Sequence, residues 1–165
     1  MKPKLTLWYD YLSGTSDEDG KNNNWKSFST VYDTGHKFYG LQDVFLGVGN
    51  NAAGNGTRGL GLQDVAVKAQ ISPVAGWTLK ADYHVFNTAE GVAGSPLRSG
   101  TQGGGVTDSS RLGEEIDITL VTKYNANTKV MFGYSNFTTG EALRNLRGLG
   151  NDDANWFYTQ VHVGF

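Results

Sequence analysis

The 165-residue chain has no cysteine, only three prolines, no surplus of basic residues and no long apolar run. Each absence removes a class of protein. Without cysteine there is no disulfide framework and no thiolate metal site. Fourteen Lys and Arg against sixteen Asp and Glu give a formal net charge of −2. That balance excludes the basic surplus of a nucleic-acid binder and a polybasic patch for anionic lipid. No segment approaches the ~20 apolar residues of a membrane helix. The opening "MKPKLTLWYD" lacks the apolar core and cleavage site of a secretory signal. Either a signal has been removed and a Met supplied, or the sequence is a piece of a longer chain. Ala, Leu and Glu never recur at helical spacing for long enough to predict a helix of three turns or more.

What is present is glycine, with 23 residues, and aromatic side chains, 12% of the chain against 18% charged. That balance suits an all-β protein with long loops. Five segments alternate with period two, the spacing that sends successive side chains to opposite faces of a strand. They are "KLTLWYDYL", "LQDVAVKAQIS", "WTLKADYHVF", "EEIDITLVTKY" and the terminal "WFYTQVHVGF". A sixth, "TKVMFGYSNF", alternates more loosely. Each is about 9–12 residues, enough for a tilted strand to cross a bilayer, whereas strands of ordinary sheets average ~5–6. The connections alternate as well. "SPVAGW" and "NANT" are short turns, while the other connections are long and polar. Short periplasmic turns and long extracellular loops are the asymmetry of outer-membrane barrels. Within the first long connection, "WKSFSTVYD" and "KFYGLQDVFLGVG" are either two more strands or a folded loop.

One face of these strands carries Leu5, Leu7, Val65, Val67, Ile116 and Ile118, with Trp77, Tyr9, Tyr11, Tyr83, Tyr124 and Tyr134 toward the ends. Aliphatics flanked by two levels of amphipathic aromatics form the girdle pattern of a lipid-facing barrel wall. The opposite face mixes Lys4, Lys68, Lys80, Lys123 and Lys129 with Asp10, Asp64, Asp82, Glu115 and Asp117, and adds Trp8, His84, Gln160 and His162. A water-filled lumen explains that mixture, and so does an ordinary exposed face. The mean hydropathy of −0.40 does not separate the two. The predicted fold is an antiparallel up-and-down transmembrane β-barrel of about six to eight strands, occupying residues 1–165 as one domain or as the C-terminal segment of a larger barrel.

The stretches "KLTLWYDYLSG", "YDTGHKFYG", "GLQDVAVKA", "TLKADYHVF", "LGEEIDITLVTKYN", "TKVMFGYSNF" and "WFYTQVHVGF" occur in an order that resembles the C-terminal part of the alginate-export family of outer-membrane porins. The resemblance covers nearly the whole chain. It implies a passive channel for small anionic or sugar-like solutes, not an enzyme, and residence in the bacterial outer membrane. The implied partners are outer-membrane lipid, lipopolysaccharide and, through the C-terminal strand, the barrel insertion machinery. No cofactor, metal or nucleic acid is called for. Two departures stand out. Members of the family have many more strands than fit here, and six cannot close around a packed interior. A polyuronate exporter should also present an arginine-rich lumen. Here the inward faces balance lysines against acids with no Arg on the strands, which suits a less charged or neutral solute as well.

The predicted pore-lining residues are Lys68, Lys80, Asp82, His84, Glu115, Asp117, Lys123, Lys129 and His162. Tyr32, His36, Lys37 and Tyr39, in "YDTGHKFYG", are candidates for a constriction or solute-contact loop, since aromatics beside a cation suit sugar rings and carboxylates. Aromatic packing that pins the loop is the competing account. In "SDEDGKNNN", Asp17, Glu18, Asp19, Asn22 and Asn24 could hold Ca²⁺, but the later bidentate Glu of a Ca²⁺ hand is missing. A solvated loop fits better. His84 and His162 with nearby acids raise a lipid-hydrolase site, yet no Ser stands in a nucleophile setting. "SGTQGGGV" does not join a strand to a helix, so it is no phosphate loop, and the sequon at Asn55 means little in a bacterial protein. A small non-conducting barrel with a structural or adhesion role and a soluble β-sandwich binding module remain as alternatives.

Overall fold

The computed structural model describes residues 3–30, 36, 38–46, 56–91, 108–147 and 153–165. Six strands follow in order: β1 (Lys4–Leu12), β2 (Leu62–Ile71), β3 (Trp77–Asn87), β4 (Arg111–Lys123), β5 (Thr128–Thr139) and β6 (Ala154–Val163). Two short helices interrupt the connections, α1 (Asp17–Lys21) after β1 and α2 (Glu141–Arg147) after β5. The strands form one sheet in sequence order, every neighbouring pair antiparallel. The sheet is open: β6 pairs with β5, β1 pairs with β2, and the first and last strands are not paired with each other.

The two tight turns lie at one end. In the β2–β3 turn Gly76 takes φ +82, and its carbonyl accepts the Lys123 N–H at 2.8 Å. In the β4–β5 turn the Asn127 N–H donates to the side-chain oxygen of Asn125 at 2.9 Å. The three long connections, 13–61, 88–110 and 140–153, leave and rejoin the strands at the other end. The described parts of "WKSFSTVYD" and "KFYGLQDVFLGVG" contain no strand; they belong to the first long connection as a folded loop.

The alternation of the sequence becomes a two-faced sheet. On the convex face Leu5, Leu7, Val65, Val67, Ile116, Ile118, Tyr134, Phe157 and Val161 are exposed, Leu7 by 77% and Phe157 by 69%. They stand opposite one another across the ladder, as in Leu7↔Val67, Val67↔Tyr83, Tyr83↔Ile116 and Tyr134↔Phe157. The charged and polar residues take the concave face, where Asp64, His84, Glu115, Asp117, Thr119 and Ser135 are buried. A water-soluble sheet buries its apolar face; here burial runs the other way.

The apolar core sits at the long-loop end and nowhere else among the described residues. Leu12, Leu62, Phe86, Leu112 and Phe137 come from the ends of β1 to β5, and they meet Phe45 and Leu60 of the first long connection and Ala142, Leu143 and Leu146 of α2. The Phe45 ring lies tilted 4.8 Å from that of Phe86 and edge-on 5.9 Å from that of Phe137. Burying such a side chain contributes roughly 1.5–3 kcal/mol, enough to fold the loop 38–46 back over the concave face. Of the strand boundaries that differ from expectation, two stand out. β4 begins at Arg111, so one arginine does stand on a strand, where its guanidinium is paired with Glu114. β6 runs from Ala154 to Val163, leaving Phe165 beyond the ladder.

Candidate functional site

Side chains on the concave face are arranged in rungs, residues directly opposite one another across the ladder. The rung at the core reads Asp10, Asp64, Phe86, Gly113, Thr139, and the one after it Trp8, Ala66, His84, Glu115, Phe137. The next reads Thr6, Lys68, Asp82, Asp117, Ser135, Trp156. Then come Lys4, Gln70, Lys80, Thr119, Gly133 and Tyr158. Toward the tight turns Lys123, Lys129 and His162 share the last rung. Acids therefore gather toward the loop end and lysines toward the turn end.

The loop docks on the acids. The Gln42 N–H donates to Glu115 Oε1 at 2.9 Å and the Leu41 N–H to Asp117 Oδ2 at 3.3 Å. Gly40, at φ +80, lies so close that a Cβ there would stand 2.4 Å from Glu115 Oε2. Only glycine combines that backbone with that approach. The Gln42 side chain donates to the Ala154 carbonyl at 3.1 Å, tying the loop across to β6. At its start the His36 N–H donates to Asp43 Oδ1 at 2.6 Å, and Nδ1 of the same ring lies 2.7 Å from the Leu41 carbonyl and 3.0 Å from Asp43 Oδ2. The His36 ring stacks on Trp156 at 5.0 Å, and Trp156 stacks on Tyr158 at 4.6 Å. Tyr158 in turn lies over Gly133 of β5, where an added Cβ would stand 1.9 Å from Cε1 of the ring. Its hydroxyl comes 3.3 Å from Thr119 Oγ1 on β4.

Arg147 of α2 holds the far side of the loop. Its guanidinium donates to the Val44 carbonyl at 2.9 Å and lies 5.7 Å from the Phe45 ring. Burial pulls its pKa down to about 10, still charged at neutral pH. Below the loop a cavity of about 430 Å³ is bounded by His36, Trp156 and Tyr158 on one side and by Lys80, Asp82 and Asp117 on the other.

The predicted lining residues fall into two groups. Lys80, Lys123, Lys129 and His162 are exposed and Lys68 and Asp82 half-buried, bordering concave-face cavities. His84, Glu115 and Asp117 are buried beneath the loop. Of the loop candidates, His36 stacks on Trp156 and Tyr39 packs against the core, while Tyr32 and Lys37 lie outside the described residues. So do Asn55 and the glycine-rich stretch 99–106. Reading the sequence missed Trp156, Tyr158, Gly133 and Gly40 as parts of this site. Trp156 and Tyr158 were visible on the polar face of the last strand, an odd place for two aromatics in succession.

His84 is a partner of Asp64, Nδ1 lying 2.9 Å from both carboxylate oxygens, and its ring stacks on Phe86. On the next rung the Ser135 hydroxyl donates to Asp117 at 2.5 Å. The acidic loop is occupied by its own lysines: Asp17 pairs with Lys21, and Asp19 with Lys26 at 2.8 Å. Asp19 Oδ2 also accepts the Ser16 hydroxyl at 2.7 Å. The lysine and serine contacts hold the Asp19 pKa below its ordinary value.

Fold and site together define an up-and-down antiparallel sheet, apolar on its convex face, with a loop folded over a charged concave face. The chain belongs to the alginate-export family, whose model matches residues 1–157. No curated protein and no solved structure matches it.

Proposed function

We propose that the six strands form part of the wall of an outer-membrane channel for passive passage of small or sugar-like solutes. The observation that carries this reading is the inverted burial. The convex face exposes Leu7, Val67, Ile118, Phe157 and their neighbours, while Asp64, His84, Glu115 and Asp117 are buried on the concave side. An apolar outer face costs little against lipid and much against water. Strands of 9 to 13 residues match the span of a tilted transmembrane strand. The tight turns then face the periplasm and the long connections the exterior. Because the sheet is open, the channel needs further strands beside β1 and β6, and six is below the smallest single-chain barrel. Selection works by width and charge: the loop 38–46 narrows the concave side, with acids above and lysines below.

Membership of the alginate-export family supports transport rather than catalysis. A soluble sandwich would need a second layer on the convex face, and the described residues leave that face uncovered. The test is reconstitution in a planar bilayer. Discrete ohmic current steps that grow on deletion of residues 38–46, the loop that narrows the concave side, are expected. A chain that inserts, resists denaturation by detergent without heating and carries no current would replace the channel with a structural barrel. A chain that stays folded and monomeric without detergent would end the membrane reading altogether.

A further inference from the structure

We propose that the cavity beneath the loop is a subsite for a neutral pyranose unit and discriminates against uronate. Two adjacent rungs build it. The first contributes Asp82, Asp117 and Trp156 to its lining, and the second contributes Lys80, Thr119 and Tyr158 below them. The volume, about 430 Å³, falls in the range of ~300–1,000 Å³ typical of small-molecule sites. One wall is aromatic and the other polar, which is what a sugar ring presents: C–H groups on its faces and hydroxyls around its rim.

Three details argue for a built site. Gly133 removes the one side chain that would lift Tyr158 off the wall, so Tyr158 and Trp156 are held in a fixed stack rather than waving from an edge strand. Asp82 and Asp117 stand directly opposite each other, an arrangement of like charges that destabilises a sheet. Asp82 is only loosely relieved, by Lys68 at 3.8 Å. Asp117 already accepts from the Ser135 hydroxyl and the Leu41 N–H, so Asp82 is the member of the pair that a ligand hydroxyl would relieve. Finally, a uronate carboxylate entering the cavity would meet both acids with Lys80 as the one lysine or arginine among the bordering residues, whereas a neutral ring brings no like charge to them.

The inference rests on the channel reading for how solute arrives, but its binding step can be measured apart from conduction. The full chain in detergent is titrated calorimetrically with a neutral glucose hexamer and with a mannuronate hexamer, and current block by each is recorded in bilayers. Tighter binding of the glucose hexamer is expected. Trp156→Ala should weaken that binding about tenfold, the equivalent of ~1.4 kcal/mol, and Trp156→Phe should recover most of it. Asp82→Asn should strengthen mannuronate binding at least about threefold relative to glucose, a change of preference that a merely structural role would not produce. Preference for mannuronate in the unaltered chain, or undiminished glucose binding in Trp156→Ala, overturns the subsite. Current without glucose binding or block also overturns it and leaves the channel standing. Binding by a chain that conducts nothing supports the subsite and removes the channel.

Discussion

Replacing Ile118 by arginine separates a lipid-facing wall from a water-facing one by energy alone. Ile118 is 44% exposed on the convex face, opposite Ala81 on β3 and Tyr134 on β5. Lys123, the nearer end of β4, is five positions away. At ~3.3 Å per residue and a tilt of ~45° that is about 12 Å of depth, close to the middle of an apolar band ~25 Å tall. Arginine at the midplane of a barrel wall costs about 2–4 kcal/mol, or roughly 30- to 1,000-fold in the folded-to-unfolded ratio. On a face bathed in water the same change stays within about 0.5 kcal/mol. Gln160→Arg, on the exposed concave side of β6, is the matched control. Urea titration of the vesicle-embedded chains, read by unheated gel mobility and tryptophan emission, gives both values. A cost below about 0.5 kcal/mol for Ile118→Arg, or a larger one for Gln160→Arg, would refute the assignment of faces.

Other substitutions probe the loop and its anchors. Gly40→Ala puts a Cβ 2.4 Å from Glu115 Oε2 at φ +80, combining a clash with a left-handed backbone worth about 1–2 kcal/mol. The loop should leave the acids, seen as faster proteolytic nicking within 38–46 and a larger unitary current. Gly133→Ala drives a Cβ into the Tyr158 ring; a loss of about 1–3 kcal/mol and collapse of the near-ultraviolet dichroism of the Trp156–Tyr158 stack are expected. At α1 the sign is set by Asp19, whose pKa is lowered from 3.8 by its contacts with Lys26 and Ser16. A depressed carboxylate adds stability that is complete above its ordinary value and fades as the pH falls below it. Amide protection in 17–21, measured relative to the intrinsic exchange rate at each pH, should therefore fall on acidification below about pH 4, and Lys26→Gln should reduce that pH dependence.

Much of the wall was legible because alternation with period two is a local signal. "KLTLWYDYL" coincides with β1 to the residue, and the face assigned to each of Leu7, Lys80, Ile118 and His162 follows from parity. The ends of strands were less legible. β4 starts early because Leu112 turns into the core and the ladder slips at Phe86/Asn87, which breaks the alternation over Arg111–Gly113. The two short helices hid for different reasons. In α2, Ala142, Leu143 and Leu146 do mark one buried face, but two turns are too few for periodicity to stand out. In α1 the Ser16 cap followed by Asp19 is a helix-start signature lost among loop acids.

The site was the least legible part. That Asp82, Asp117 and Trp156 share a rung depends on the registers of three ladders, which alternation within one strand does not carry. That Glu115 catches the backbone of Gln42 depends on a contact 73 residues apart. The open sheet was legible from the strand count, since six strands are too few to close, and β1 and β6 are unpaired with each other.

The claim beneath all of this is that the convex face meets lipid. Trp77 lies exposed on that face at the start of β3, and Trp156 lies on the concave face. Chains keeping only one of these two tryptophans, the others changed to Phe, can be reconstituted in vesicles of lipid brominated high on the acyl chain. Strong quenching of Trp77 by the lipid, with Trp156 quenched instead by aqueous iodide, is the expected result. Lipid quenching of Trp156, or iodide quenching of Trp77 with no effect of the lipid, would contradict it.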